Sequence, residues 1–277
     1  MGLRINTNVV SLSAQRTLGN TNRAQEGSLA KLSSGSRITR SADDAAGLAI
    51  SEKLKAQVRG VNQAERNAND GISMIQIAEG GLNEVSSILT RLRELSVQAA
   101  SDTIGDSERK FTDLEYQNLK QEVERISQVT EFNGKKLLTG EGETYDFQIG
   151  INNDDFQDRI KFDTAMLNSS VESLGVAEIG VNSKEGAQES LAVLDSAIEK
   201  VSGQRAELGA KQNRLGSTIQ NLQVSSENLN AANSRIRDTD YAMETAKNAK
   251  LNILNAAGTS VLSQANSQGN MALKLIG

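Results

Sequence analysis

Residues 191–236 read LAVLDSAIEKVSGQRAELGAKQNRLGSTIQNLQVSSENLNAANSRI, a stretch without a proline. Leu194, Val201, Leu208, Leu215, Leu222, Leu229 and Ile236 stand seven residues apart in it. Seven residues fall slightly short of two turns of 3.6, so a helix that keeps this ladder facing one partner must underwind, as coiled-coil strands do. The other half of the seam is Leu191, Ile198, Arg205, Gln212, Ile219, Ser226 and Asn233, a mixture of apolar and polar side chains. The segment therefore predicts a long strut with one dry edge.

Working outward, Val61, Ala64, Ala68, Ile72, Ile75, Ala78, Leu82, Val85, Leu89, Leu92 and Leu95 recur every three or four residues and predict a second long helix over 45–99. It opens at Ser41-Ala42-Asp43-Asp44, where Ser41 is expected to cap and Asp44 to answer it three residues on. Tyr116, Leu119, Val123 and Ile126 mark a third helix, about 107–129. Around 144–163 the period becomes two: Tyr145, Phe147, Ile149 and Ile151, a turn at Asn152 to Asp155, then Ile160 and Phe162, which together predict a β-hairpin. The return helix covers about 187–236. Helices of about 70–80 Å, at about 1.5 Å per residue, cover each other only when antiparallel. The expected fold is mainly α: an elongated antiparallel coiled-coil helical bundle with a small β-hairpin region and paired terminal helices.

The chain has 277 residues and contains no His, Cys, Pro or Trp. Imidazole bases, thiolate nucleophiles, Cys/His zinc sites and disulfides are thereby excluded, and no cofactor and no catalysis are expected. The net charge of −5 argues for no nucleic-acid partner, and it is unevenly spread. Residues 1–40 carry +5, residues 235–277 carry +2, and the middle carries −12. Between Leu251 and Leu273 there is no ionisable side chain, yet Asn252, Asn255, Gln264, Asn266 and Asn270 interrupt the run. Buried amides cost too much for a bilayer core, so no membrane insertion is expected. No signal peptide is expected either, since no apolar run follows the basic start.

The uncharged terminal stretches hold Ile5, Val9, Leu12 and Leu18 at one end and Ile253, Leu254, Val261, Leu262 and Leu273 at the other. These residues have no core of their own except each other. Residues 1–40 and 237–277 are therefore expected to be frayed in the lone chain and to pack between copies.

Longer motifs carry a resemblance. Leu32-Ser33-Ser34-Gly35-Ser36-Arg37-Ile38, running on through Ala42-Asp43-Asp44-Ala45-Ala46-Gly47-Leu48-Ala49-Ile50, resembles the N-terminal signature of bacterial flagellin. Arg66-Asn67-Ala68-Asn69-Asp70-Gly71-Ile72-Ser73, Phe132-Asn133-Gly134 and Arg235-Ile236-Arg237-Asp238-Thr239-Asp240-Tyr241-Ala242-Met243-Glu244 extend it. Residues 140–182 are generic. Thr39 stands where the family usually has Asn and Gly269 where it usually has Pro, both at expected loops or breaks.

The resemblance implies a minimal flagellin without variable outer domains: a secreted subunit that self-assembles into the flagellar filament for swimming motility. In that reading 1–40 and 237–277 are the two halves of the inner-tube domain, and 41–236 is the outer-tube domain. It implies export, unfolded, by the flagellar type III pathway, and as partners further copies of the chain, an export chaperone, the filament cap and the hook–filament junction proteins. It also implies a surface for a vertebrate toll-like receptor at Arg91, Leu95 and Glu115, within Thr90-Arg91-Leu92-Arg93-Glu94-Leu95-Ser96-Val97-Gln98. The alternatives are a hook–filament junction protein and a non-polymerising coiled-coil adhesin.

Overall fold

The computed structural model describes residues 7–141 and 144–274, with the side chains of 268–274 left aside. Five α-helices stand among the described residues: α1 (Val9–Ser34), α2 (Ala45–Ala99), α3 (Asp106–Val129), α4 (Lys184–Arg237) and α5 (Tyr241–Lys274). Two small antiparallel sheets pair β1 (Glu131–Phe132) with β2 (Lys135–Lys136) and β3 (Thr144–Gln148) with β4 (Arg159–Asp163). The protein is mainly α, as its periodicity indicates.

Local chemistry fixes where the helices start and stop. Asn8 accepts a hydrogen bond from Ser11 N at 3.0 Å to open α1, and Gly35 closes it in the left-handed conformation with φ 68°. Asp44, not Ser41, caps α2, its carboxylate accepting Gly47 N at 2.8 Å. Asp43 instead accepts from Thr39 N, Thr39 Oγ1 and Arg40 N. Arg109 is buried and donates to Ala99 O and Ser101 O, closing the carbonyl end of α2. Asp240 opens α5 by accepting Met243 N. The helix runs through Gly269, where a break was expected.

The chain forms two compact units, Met1–Ala56 with Asn228–Gly277, and Gln57–Glu227; the divisions fall inside α2 and α4. In the second unit α2 and α4 run antiparallel. Ser190 meets Ser96, Asp195 meets Arg93, Gln223 meets Glu65 and Ser226 meets Asn62, so one number climbs as the other descends. Ile75, Leu82, Leu89 and Leu92 of α2, Tyr116 and Val123 of α3, and Leu194, Val201, Leu208 and Leu215 of α4 are buried in one cluster with Ile160 and Phe162 of the hairpin. The seven-residue ladder is not uniform. Leu222, Leu229 and Ile236 are only half-buried, because α3 and the connecting segment provide a third wall for the first four positions alone.

Turn geometry and side-chain hydrogen bonds tie the connecting residues down. The β1–β2 turn places Asn133 at φ 51° and Gly134 at φ 75°, the pair of positive angles a two-residue hairpin needs. Tyr145 pairs with Phe162 and Phe147 with Ile160 across β3 and β4. This hairpin lies on α2 where Gly71 leaves room: a Cβ there would stand 3.2 Å from the Phe147 ring. Asn67 reaches from the same helix to Gln148 O. Beyond β4, the irregular backbone is tied by side chains of α3 and α4. Lys120 donates to Ala177 O and Ile179 O, Gln204 donates to Met166 O and Asn168 O, and Asp113 accepts Val181 N. Burial lowers the Lys120 pKa.

In the first unit α1 and α5 lie side by side. Both are continuous helices, and each supplies the other's partner, as expected of segments with no core except each other. Arg37 N–H to Arg237 O, Thr239 N–H to Gly35 O and the Arg37 guanidinium on Ile236 O tie the entry and exit strands together, next to the Arg237–Glu52 ion pair.

Candidate assembly surface

Among the described residues, α1 and α5 are the helices whose backbones come closest. Small side chains permit it. Ala14 and Ala257 line the groove between them, and a Cβ on Gly258 would stand 3.1 Å from Leu18 Cδ1. The contacts that join the pair are mostly polar. Asn8 Nδ2 donates to Ala265 O at 2.8 Å, and Ser11 Oγ donates to Asn266 Oδ1 at 2.7 Å. Gln25 bridges Asn252 and Asn255, donating to the first and accepting from the second. Glu244 is buried at the α1 side, and the Ser28 hydroxyl, followed by Lys247, holds its carboxyl below the usual range.

Many apolar side chains of the pair stay open to solvent. Val9, Val10, Leu12 and Leu29 on α1, and Tyr241, Met243, Ile253, Leu254 and Val261 on α5, are all exposed, Ile253 and Met243 at 69%. The groove between the helices, about 390 Å³, is lined by Val10, Leu18, Leu254 and Val261 among others. So many outward apolar groups on one helix pair mark an interaction surface rather than a solvated face.

The residues expected to pack between copies divide accordingly. Val9, Leu12, Ile253, Leu254 and Val261 are exposed, while Leu18 and Leu262 are half-buried. Ile5 and the side chain of Leu273 lie outside the described residues. Sequence reading missed Gln25 altogether, and it took Asn252 and Asn255 only as arguments against a membrane span. An uncharged helix with amides at a spacing of three was the available signal.

The expected receptor surface needs correction. Arg91 and Glu115 do come together, the guanidinium donating twice to Glu115 at 3.0 Å and once to Glu94 at 2.9 Å. Leu95 is 2% exposed and belongs to the core. A residue four positions along α2 from Arg91 has rotated far enough to face α3 and α4, so Leu95 offers nothing to an outside partner. Among the described residues no acidic cluster is arranged to hold a metal ion, and no helix is long and apolar enough to cross a membrane.

Comparison with known proteins gives these features a setting. Residues 5–143 match the bacterial flagellin N-terminal helical region and residues 191–276 the bacterial flagellin C-terminal helical region. A flagellin of Halalkalibacterium halodurans is 45% identical over 98% of this chain and 99% of its own. The flagellar filament 33 kDa core protein of Treponema phagedenis is 42% identical, with the same coverage. The crystal structure of Bacillus cereus flagellin superposes with a TM-score of 0.50 at 29% identity, over 57% of this chain and 88% of that one.

The fold and its outward apolar helix pair thus define a mainly α structural protein that assembles with copies of itself. The chain belongs to the bacterial flagellin family. It is a structural subunit of the flagellar filament, exported to form that extracellular polymer.

Proposed function

We propose that α1 and α5 are the inner-tube helices of the filament and that their exposed rows, Val9 and Leu12 with Ile253, Leu254 and Val261, pack against the same helices of neighbouring copies. Residues 41–236 then form the outer tube. One observation carries the reading: both helices keep large apolar side chains, Val9, Leu12, Ile253, Leu254 and Val261 among them, exposed in the single chain. Apolar area removed from water returns about 25 cal/mol per Å², so covering these rows is the natural driving force for association.

The chain enters the filament after travelling unfolded through the flagellar type III route. The absence of Cys and Pro supports this, because no disulfide and no slow prolyl isomerisation stands between exit and folding. Its transient partners are an export chaperone, the filament cap and the junction proteins, and it catalyses nothing. Arg91 and Glu115 remain as the exposed part of a surface for a vertebrate toll-like receptor.

Negative-stain electron microscopy of the full chain and of a chain lacking residues 237–277 tests the packing. Long uniform filaments are expected from the full chain and none from the truncation. Filaments from both would mean that residues 41–236 drive assembly alone, and filaments from neither would favour a junction protein.

A further inference from the structure

Two apolar groups of the second unit, Gln57–Glu227, face solvent although the rest of that unit buries its large side chains well. The first is Phe156, 84% exposed, in the loop between β3 and β4. Hydrogen bonds hold that loop in shape. Asp154 accepts Phe156 N at 2.9 Å and Gln157 N at 2.8 Å, the buried Asp158 carboxylate accepts Asp154 N at 3.0 Å, and Asp158 O accepts from Ile149 N and Gly150 N. Asp155 is paired with Lys161 and Arg159. A backbone fixed in this way presents the ring in one place, and an aromatic side chain with two torsions loses little freedom on binding. The second group is on α3, where Phe111 and Leu114, 73% and 66% exposed, lie three residues apart on one face. Lys110 shares that face four residues before Leu114, exposed and, among the described residues, without an ion-pair partner.

The two groups sit at opposite ends of the unit. Ile151, in the Phe156 loop, lies against Gly60 of α2, where a Cβ would stand 2.9 Å from Ile151 Cγ2, and Asn67 holds Gln148 O just before the loop. Phe111 stands between Arg109, which reaches Ala99 O at the far end of α2, and Glu115, which meets Arg91. Along α2 the two levels are roughly 50 Å apart, at about 1.5 Å per residue.

We propose that Phe156 of one copy seats on Phe111 and Leu114 of the next, as a head-to-tail contact between their second units. This goes beyond the packing of α1 and α5 and rests only on the chain's being a filament subunit. An open helical polymer is built from heterologous contacts, in which one patch meets a different patch. A single ring at one end and a two-residue apolar face at the other supply such a pair. Either patch meeting its own counterpart would instead close a dimer about a two-fold axis and leave no free end. Charge agrees with the pairing, since Asp154 and Asp155 precede the ring and Lys110 borders the face. An aromatic side chain ringed by polar groups is also the composition of the few residues that carry most of an interface's energy.

The chain has no cysteine, so introduced thiols report neighbours without background. Gln157→Cys lies beside the ring and Asn118→Cys one turn beyond Leu114, so both leave the proposed contact intact. Full-length chains carrying one or the other are copolymerised in equal amounts, bridged with a short bismaleimide and read on denaturing gels. Cross-linked dimers are expected from the mixed filaments, and none from filaments of either variant alone. No dimer in the mixed filaments overturns the proposal, as does a dimer formed by Gln157→Cys alone, which would make the contact symmetric. In a second measurement, Phe156→Ser is expected to raise the protein concentration needed for filament growth by about tenfold, and Phe156→Trp to keep it near the original value. Urea unfolding of the unpolymerised chain is expected to be the same for all three, because the ring touches nothing within its own copy. A growth concentration left unchanged by Phe156→Ser refutes the proposal, and so does one explained by an equal loss of stability in the single chain. Both readouts use the intact chain. Filaments that still grew without residues 237–277 would therefore refute the packing of α1 and α5 and leave this contact to be decided by its own cross-link.

Discussion

Arg91 holds two carboxylates at once, Glu94 on its own helix and Glu115 on α3, and both raise its pKa, Glu94 foremost. All three side chains are about half exposed or more, a setting in which ion pairs contribute little to stability. Their value is as a fixed pattern of charge at the surface. Arg91→Ala is therefore expected to leave the melting temperature almost unchanged and to lower toll-like receptor activation in a reporter-cell assay by roughly tenfold. A drop in melting temperature large enough to account for lost activity would assign Arg91 a purely structural role. The motif Asn67 to Gly71 is legible at the same scale only after folding. Asn67 binds Gln148 O and Gly71 admits the Phe147 ring, partners far away in sequence.

At the scale of the helix, the chain carries two kinds of apolar residue that composition cannot separate. Leu89 of α2 is fully buried, and Ile253 of α5 is 69% exposed. Leu89→Ala should destabilise the folded chain by about 2–5 kcal/mol, measured by urea unfolding. Ile253→Ser should change that stability by less than about 0.5 kcal/mol and raise the protein concentration needed for filament growth, measured by sedimentation. Equal unfolding losses for both would mean that α5 is covered within a single chain. The periodicity of α2 and α4 was readable because a long helix with a neighbour must repeat its apolar face. The pairing of α1 with α5 was readable as well, but not the amides that join them, because amide pairing has no period. Leu95 was placed on the surface by likeness alone, although its membership of the α2 ladder pointed to the core.

For the molecule as a whole, acid is the simplest general test. Several carboxyls lie below their ordinary range in the folded chain: Asp43 through the Thr39 hydroxyl, Asp102 through Lys184, Asp155 through Lys161, Asp195 through Arg93, Glu122 through Arg125, and Glu244 through the Ser28 hydroxyl. A carboxyl depressed by folding stays ionised in the folded chain after the unfolded chain has taken up its proton. Its stabilisation is therefore complete above the unfolded values, 3.8 for Asp and 4.5 for Glu, and is lost as pH falls through the folded ones. The melting temperature, followed by helical circular dichroism, should be level from neutral pH down to about 5 and fall steadily below about 4. A melting temperature that held or rose there would show that these contacts add nothing. By itself the sequence determined the helical class, the antiparallel return, the hairpin and the family, because each is written in a local period or a contiguous motif. Only the tertiary structure decided which apolar side chains are core and which are surface, where the ladder stops being buried, how residues 164–183 are tied down and which amides join the terminal helices. Those outcomes depend on neighbours brought together from distant parts of the chain, and no local pattern records them.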